Sequence, residues 1–144
     1  SWHFNWRLWD SGEDIMQSNE IGKIILRLSL ALVFLYFGVQ QIMDPGAWSG
    51  FVPDRFHVSG ISANNIVIFN GFMEIVFGTF FIVGLYVRFA SIVMSLHLFV
   101  IALSIGFSPL GIRDFGLAFA TLALFFFGAD RYTVDYKFAK KKSN

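Results

Sequence analysis

The sequence contains no cysteine. Within these 144 residues that excludes disulfide staples, thiol redox relays, cysteine-ligated iron–sulfur clusters and thiolate zinc sites. Any redox role has to draw on an external cofactor or on another subunit. Charge is scarce as well: Asp, Glu, Lys and Arg make up 15% of the chain, against about 25% in ordinary soluble domains. The net charge of +1 argues against a nucleic-acid binder. No continuous apolar core opens the chain, so no cleavable signal peptide is expected. The three prolines, Pro45, Pro53 and Pro109, all fall between hydrophobic runs. What is abundant is apolar: 56% of residues are hydrophobic and 19 are Phe. This is the composition of a polytopic membrane protein.

The hydrophobic runs predict four spans, about 21–43, 63–83, 88–107 and 112–129. Ser18 or Asn19 is placed to cap the first, and Asp44-Pro45-Gly46 to stop it. Gly84 is placed to end the second, and Ser108-Pro109 the third. Small residues mark helix-contact faces: Ser91, Ser95, Ala102 and Gly106 on the third span, Gly116, Ala120 and Ala123 on the fourth. Four spans with short connections predict an all-α membrane protein, an antiparallel four-helix bundle. It is expected to divide into an interfacial arm (1–20), the bundle (21–130) and a basic tail (131–144). In the arm, Trp2, Trp6 and Trp9 fit one helix face, although Trp2, Phe4, Trp6 and Leu8 also alternate as a strand would. Indole rings with Arg7 suit the headgroup region or a partner subunit. The loop after the first span carries Trp48, Phe51, Val52 and Phe56 and is expected to fold back over the bundle as a lid. If both termini share a side, nine of the eleven Lys and Arg lie there and only Arg55 and Arg113 lie opposite. That split predicts a multi-pass protein of the plasma or inner membrane with both termini cytoplasmic.

One stretch concentrates the chemistry: Asn70-Gly71-Phe72-Met73-Glu74-Ile75-Val76-Phe77-Gly78. Gly71, Glu74 and Gly78 share a helix face, with Asn70 one turn before Glu74. A carboxylate at bilayer depth costs roughly 2.5–3.5 kcal/mol on insertion scales, so it should face inward and find a partner. The flanking glycines admit a neighbouring helix. His97 lies at the matching depth on the next antiparallel span, and Arg27 is nearer the cytoplasmic side. Arg27, Asn70, Glu74 and His97 are therefore the candidate buried polar site. Equal depth predicts that Glu74 approaches His97 directly or through one water, with Arg27 as the next cation. The competing reading makes each of them a structural hydrogen-bonding residue.

These motifs resemble the DoxX family of small four-span membrane proteins, which includes the small subunit of thiosulfate:quinone oxidoreductase. The matching pieces are Arg27 with the Leu/Phe run to Gly38, the Asn70–Gly78 stretch, and Gly84-Leu85 with Arg88. Arg113-Asp114-Phe115 and Gly128-Ala129-Asp130-Arg131-Tyr132-Thr133-Val134-Asp135 match the closing segment. The resemblance implies the four-span fold over about 22–135. In many members a basic residue follows the first-helix glycine; here Gln40 and Gln41 stand in that region.

Three functions remain open on the sequence. The favoured one is an integral subunit of a larger quinone-linked redox complex, not catalytic alone, in which Arg27, Glu74 and His97 serve a quinone beside an apolar cleft. A purely structural subunit would use the Trp arm, Trp48 and Phe51 as partner surfaces. A small-solute carrier would use the buried carboxylate, but no internal repeat is visible. A quinone is the one cofactor expected. Bis-His haem is not, because only His97 lies in a span, and no metal site is expected. A Cu(II) site at Ser1-Trp2-His3 would need Ser1 as the mature terminus. The partners expected are the lipid bilayer and other membrane subunits.

Overall fold

The computed structural model describes residues 12–56 and 60–143. Among the described residues six α-helices follow one another: α1 (Gly12–Met43), α2 (Pro45–Ser49), α3 (Ala63–Val83), α4 (Val87–Ile105), α5 (Pro109–Phe127) and α6 (Val134–Lys142). A 3-10 turn at Asp54–Phe56 lies between α2 and α3. Four of them, α1, α3, α4 and α5, are long and apolar enough to cross a membrane, and they form the antiparallel bundle that the four hydrophobic runs predict.

The helix ends follow their local chemistry. Ser62 caps α3 by accepting from Asn65 N–H, and Gly84 ends it in the left-handed region at φ 75°. Ser108-Pro109, expected as a stop, is also a start: Ser108 accepts from Gly111 N–H and Pro109 opens α5. The first span departs from expectation. Helix α1 runs unbroken through residues 12–20, so Ser18 and Asn19 are interior and cap nothing. Each costs at most about 0.7 kcal/mol inside a helix, and Glu20 is tied down by Lys23 at 2.9 Å and by the Arg131 N–H at 3.1 Å. The boundary drawn at residue 20 thus falls within one continuous helix. Trp2, Trp6 and Trp9 lie outside the described residues.

The bundle is built as two close pairs. Along α1 and α3, Arg27, Ala31, Phe34 and Gly38 turn inward together, and Phe34 meets Phe81 with ring centres 5.9 Å apart. The backbones touch where two glycines face each other: a Cβ on Gly38 would stand 2.8 Å from the Gly71 carbonyl oxygen, and one on Gly71 would stand 2.8 Å from that of Gly38. Along α4 and α5, Ser95 donates to the Ala118 carbonyl at 2.9 Å. Ser91, Ser95 and Ala102 are buried as their stripe predicts, whereas Gly106 is exposed. On α5 the expected small face is met only in part: Ala120 packs against the core and Ala123 is half-buried. Gly116 is exposed with open space around it, and Ala118, Thr121 and Leu124 face the core instead. The serines and alanines of α4 already supply the close approach, so α5 can present larger groups. Although consecutive in sequence, α3 and α4 touch far less than the partners within each pair.

The end of the bundle near the termini is closed by polar groups that answer unsatisfied helix ends. Arg27 is buried and pairs with the fully buried Asp130 at 2.7 Å. Its guanidinium also donates to the Phe81 and Ile82 carbonyls, which belong to the last turn of α3 and lack donors within that helix. Asp135 accepts from the Tyr86 and Val87 N–H groups, both at 2.8 Å, at the start of α4. Its own N–H donates to the Gly84 carbonyl. The tail is therefore docked through Asp130, Thr133 and Asp135, and most of α6 beyond Asp135, its lysines with Tyr136 and Phe138, is left exposed.

Two expectations follow. Gly71→Ala should lower stability by about 1–3 kcal/mol, because its methyl meets backbone, while Gly116→Ala should be neutral or slightly stabilising. Unfolding in mild detergent measures both. Removing Asp130 alone strands a buried guanidinium, so Asp130→Ala should cost about 3–5 kcal/mol. In the same assay, Arg27→Met with Asp130→Leu should cost less than either single change.

Candidate functional site

Gly38 and Gly71 do more than bring two helices together. One turn beyond each, on the same faces, stand Gln41 and Glu74. Glu74 lies near mid-span, about 16 Å from the start of α3 and about 14 Å from its end. Its carboxylate accepts from the Gln41 amide at 3.1 Å and from the Asn70 amide at 3.2 Å. Asn70 also donates to the Gln41 carbonyl oxygen at 2.5 Å, and its own carbonyl oxygen pairs with His97 Nε2. With the amides oriented this way, the donors run from His97 through Asn70 and Gln41 to Glu74, which is the terminal acceptor. Among the described residues no buried polar side-chain atom lacks a partner.

Glu74 and His97 are thus joined through Asn70, and α3 and α4 bring them to the same depth. Arg27 takes no part. The orphan carbonyls at the end of α3 and the Asp130 carboxylate hold it at the opposite end of the bundle, which corrects its place as the next cation to Glu74. The cation on the Glu74 side is Arg113 of α5. It pairs with Asp114 at 2.7 Å and lies over the Phe37 ring, 4.3 Å from its centre.

These groups line a cavity of about 230 Å³ reaching from mid-span to the end of the bundle away from the termini. Gln41, Asn70, Glu74 and His97 form its polar floor, and Arg113 and Asp114 lie higher on one wall. Val67, Ile101, Ile105 and Leu110 are among its apolar walls. The segment between α1 and α3 roofs it, with Trp48, Phe51, Val52, Pro53 and Phe56 all facing in. Trp48 is seated edge-on against Phe37, ring centres 5.7 Å apart. Arg55 ties the roof to α4 by donating to the Ser104 carbonyl at 3.1 Å. The lid expected from the aromatic loop is therefore present over its described part.

Gln41, Arg113 and Asp114 were not among the candidate site residues. Gln41 carried a signal, since it follows Gly38 by one turn as Glu74 follows Gly71. Arg113-Asp114 stands by sequence at the start of the fourth span, and only the tertiary fold turns it into the cavity.

A DoxX family model matches residues 22–106, which takes in Arg27, Gln41, Asn70, Glu74, His97 and the lid. The chain belongs to the DoxX family. No curated protein and no solved structure matches it. The match to DoxX ends before α5, so Arg113, Asp114 and Asp130 lie beyond it.

The network makes a differential prediction. Glu74→Leu leaves the Gln41 and Asn70 donors without their acceptor at bilayer depth and should cost about 1–3 kcal/mol. Glu74→Gln keeps an acceptor oxygen and should cost under about 1 kcal/mol. Detergent unfolding of both variants decides it, and equal losses would show that the carboxylate is not held by these amides.

Proposed function

We propose that this DoxX protein is the quinone-binding integral subunit of a larger redox complex of the membrane. One observation carries the reading: an amphipathic cavity at bilayer depth whose floor is a hydrogen-bonded Gln41–Asn70–Glu74–His97 network. At about 230 Å³ it falls somewhat below the range of about 300–1,000 Å³ usual for drug-sized ligands. It suits a ring-sized head group, with any tail left outside. The residues fit such a group: polar atoms gathered at one end, apolar walls, and an aromatic roof that limits water.

A bound quinone would supply two-electron, two-proton chemistry. The chain's own residues bind and position it. Asn70 and His97 fix the polar end of the cavity, and Arg113 offers N–H groups on its wall. Glu74 is the group that can take or release a proton at a carboxylate oxygen without breaking an ion pair, because it forms none among the described residues. With no cysteine in the chain, electrons reach the site from a partner subunit and not through a thiol or a cysteine-ligated cluster. The charge split along the sequence supports an orientation with both termini cytoplasmic, which would place the cavity's roof on the opposite side.

Trp48 lines the cavity and makes the reading measurable. With Trp2, Trp6 and Trp9 replaced by Phe, a decyl-substituted benzoquinone should quench Trp48 fluorescence saturably in vesicles. Asn70→Leu should weaken binding at least tenfold, a loss of about 1.4 kcal/mol. Quenching that never saturates, or that Asn70→Leu leaves unchanged, would overturn the assignment.

A further inference from the structure

The cavity has a side as well as a roof. The helices α3 and α4 are joined near the termini by the short turn at 84–86 and make little contact beyond it. The Asn70–His97 bond bridges them at mid-span. From there toward the roof, Ile66 and Phe69 of α3 and Val100 and Ile101 of α4 line the cavity. Two of these also face outward: Phe69 is 61% exposed and Val100 58% exposed. On helices that cross a membrane, outward-facing side chains at this depth meet hydrocarbon. The same residues therefore touch the cavity and the bilayer, and they flank a gap between the two loosely packed helices. The roof also has exposed members, Phe51 at 49% and Phe56 at 38%, but it is held down. It is aromatic, seated on Phe37 through Trp48 and tied to α4 through Arg55.

We infer that the cavity takes its ligand sideways from the bilayer, between α3 and α4, and that this ligand is a lipid-soluble amphiphile with an uncharged, hydrogen-bonding head. The inference rests on the cavity being a ligand site, as in the quinone reading, and adds the route and the charge class. The charge argument comes from the lining. Glu74 and Asp114 are both acidic, and Arg113, already paired with Asp114, is the only Lys or Arg lining the cavity among the described residues. An anionic head would meet a net acidic formal charge in a medium that screens it poorly. A neutral carbonyl or hydroxyl head can bond to the amides and to Arg113. A tail too long for a cavity of about 230 Å³ passes between Phe69 and Val100 into the lipid it came from.

The route can be tested without any ligand. Because the chain has no cysteine, a nitroxide can be attached singly at Val67→Cys inside the cavity, and at Ile101→Cys as a second position if the first disturbs packing. In phosphatidylcholine vesicles, collision with dissolved oxygen reports contact with the bilayer. Collision with a water-soluble nickel chelate reports contact with water. The oxygen-to-nickel ratio inside the cavity should lie within about twofold of a lipid-facing label at Phe69→Cys and at least fivefold above one at Lys142→Cys. Adding Val100→Trp should lower oxygen access at the cavity label and leave the tail label unchanged. A cavity label that nickel reaches, or that neither reagent reaches, overturns the lateral route, as does indifference to Val100→Trp. Decyl benzoquinone, added last, separates the two claims. If it lowers oxygen access, both stand; if it changes nothing while oxygen access is high, the quinone reading fails and the lateral route survives.

Discussion

The contact on which the rest depends is the backbone approach of Gly38 to Gly71. In lipid no hydrophobic effect pulls apolar helices together, so close packing and interhelical hydrogen bonds have to do so. Any side chain at either glycine would meet the other helix's carbonyl oxygen at 2.8 Å. This crossing point fixes how far apart Gln41 and Glu74 stand one turn later. It therefore decides whether the Gln41 amide can join Asn70 in donating to a carboxylate at bilayer depth. The packing of α1 on α3 and the polar floor of the cavity are two results of one contact.

Helix ends supply the second constraint. Each span leaves unpaired N–H groups at its start and carbonyls at its finish, and near lipid these cannot be left unmet. The chain answers them with charged side chains. Arg27 serves the last carbonyls of α3, Asp135 the first amides of α4, and Arg55 a late carbonyl of α4. Gly84 belongs to the same closure, since a Cβ there would lie 2.5 Å from the Thr133 side chain. The end near the termini is thus a structural clamp, while the far end keeps a cavity under an aromatic roof.

Much of this could be read before the structure. The apolar runs, with Gly84 and Ser108-Pro109 as punctuation, place α3 and α4 nearly to the residue. Asn70, Glu74 and His97 share a depth that rise per residue alone can compute. What periodicity cannot supply is which orphan group a long side chain will find. Arg27 was within reach of two sites, and the choice depended on Asp130, about a hundred positions away along the chain, coming to rest beside the end of α3. Arg113 and Asp114 are hidden for the same reason, the start of a span by sequence and a cavity wall by fold. Gly116 misled because small residues mark contact faces only on average. Here α4 had already provided the small side of the α4–α5 contact.

Charge accounting separates the working part of the bundle from its frame. Arg27 is matched by Asp130, and Arg113 by Asp114. The Arg27–Asp130 pair is buried on both sides, so removing either member leaves the other uncompensated, while Arg113, partly exposed, compensates the buried Asp114. Glu74 is different. Its two oxygens are held by the amides of Gln41 and Asn70, groups that stabilise a carboxylate through dipoles and that can turn over to donate or accept. A proton gained or lost at Glu74 rearranges hydrogen bonds but breaks no ion pair. That is the property a bilayer-depth site needs if it is to change protonation while the bundle around it stays assembled, and among the described residues Glu74 is the one buried carboxylate that has it.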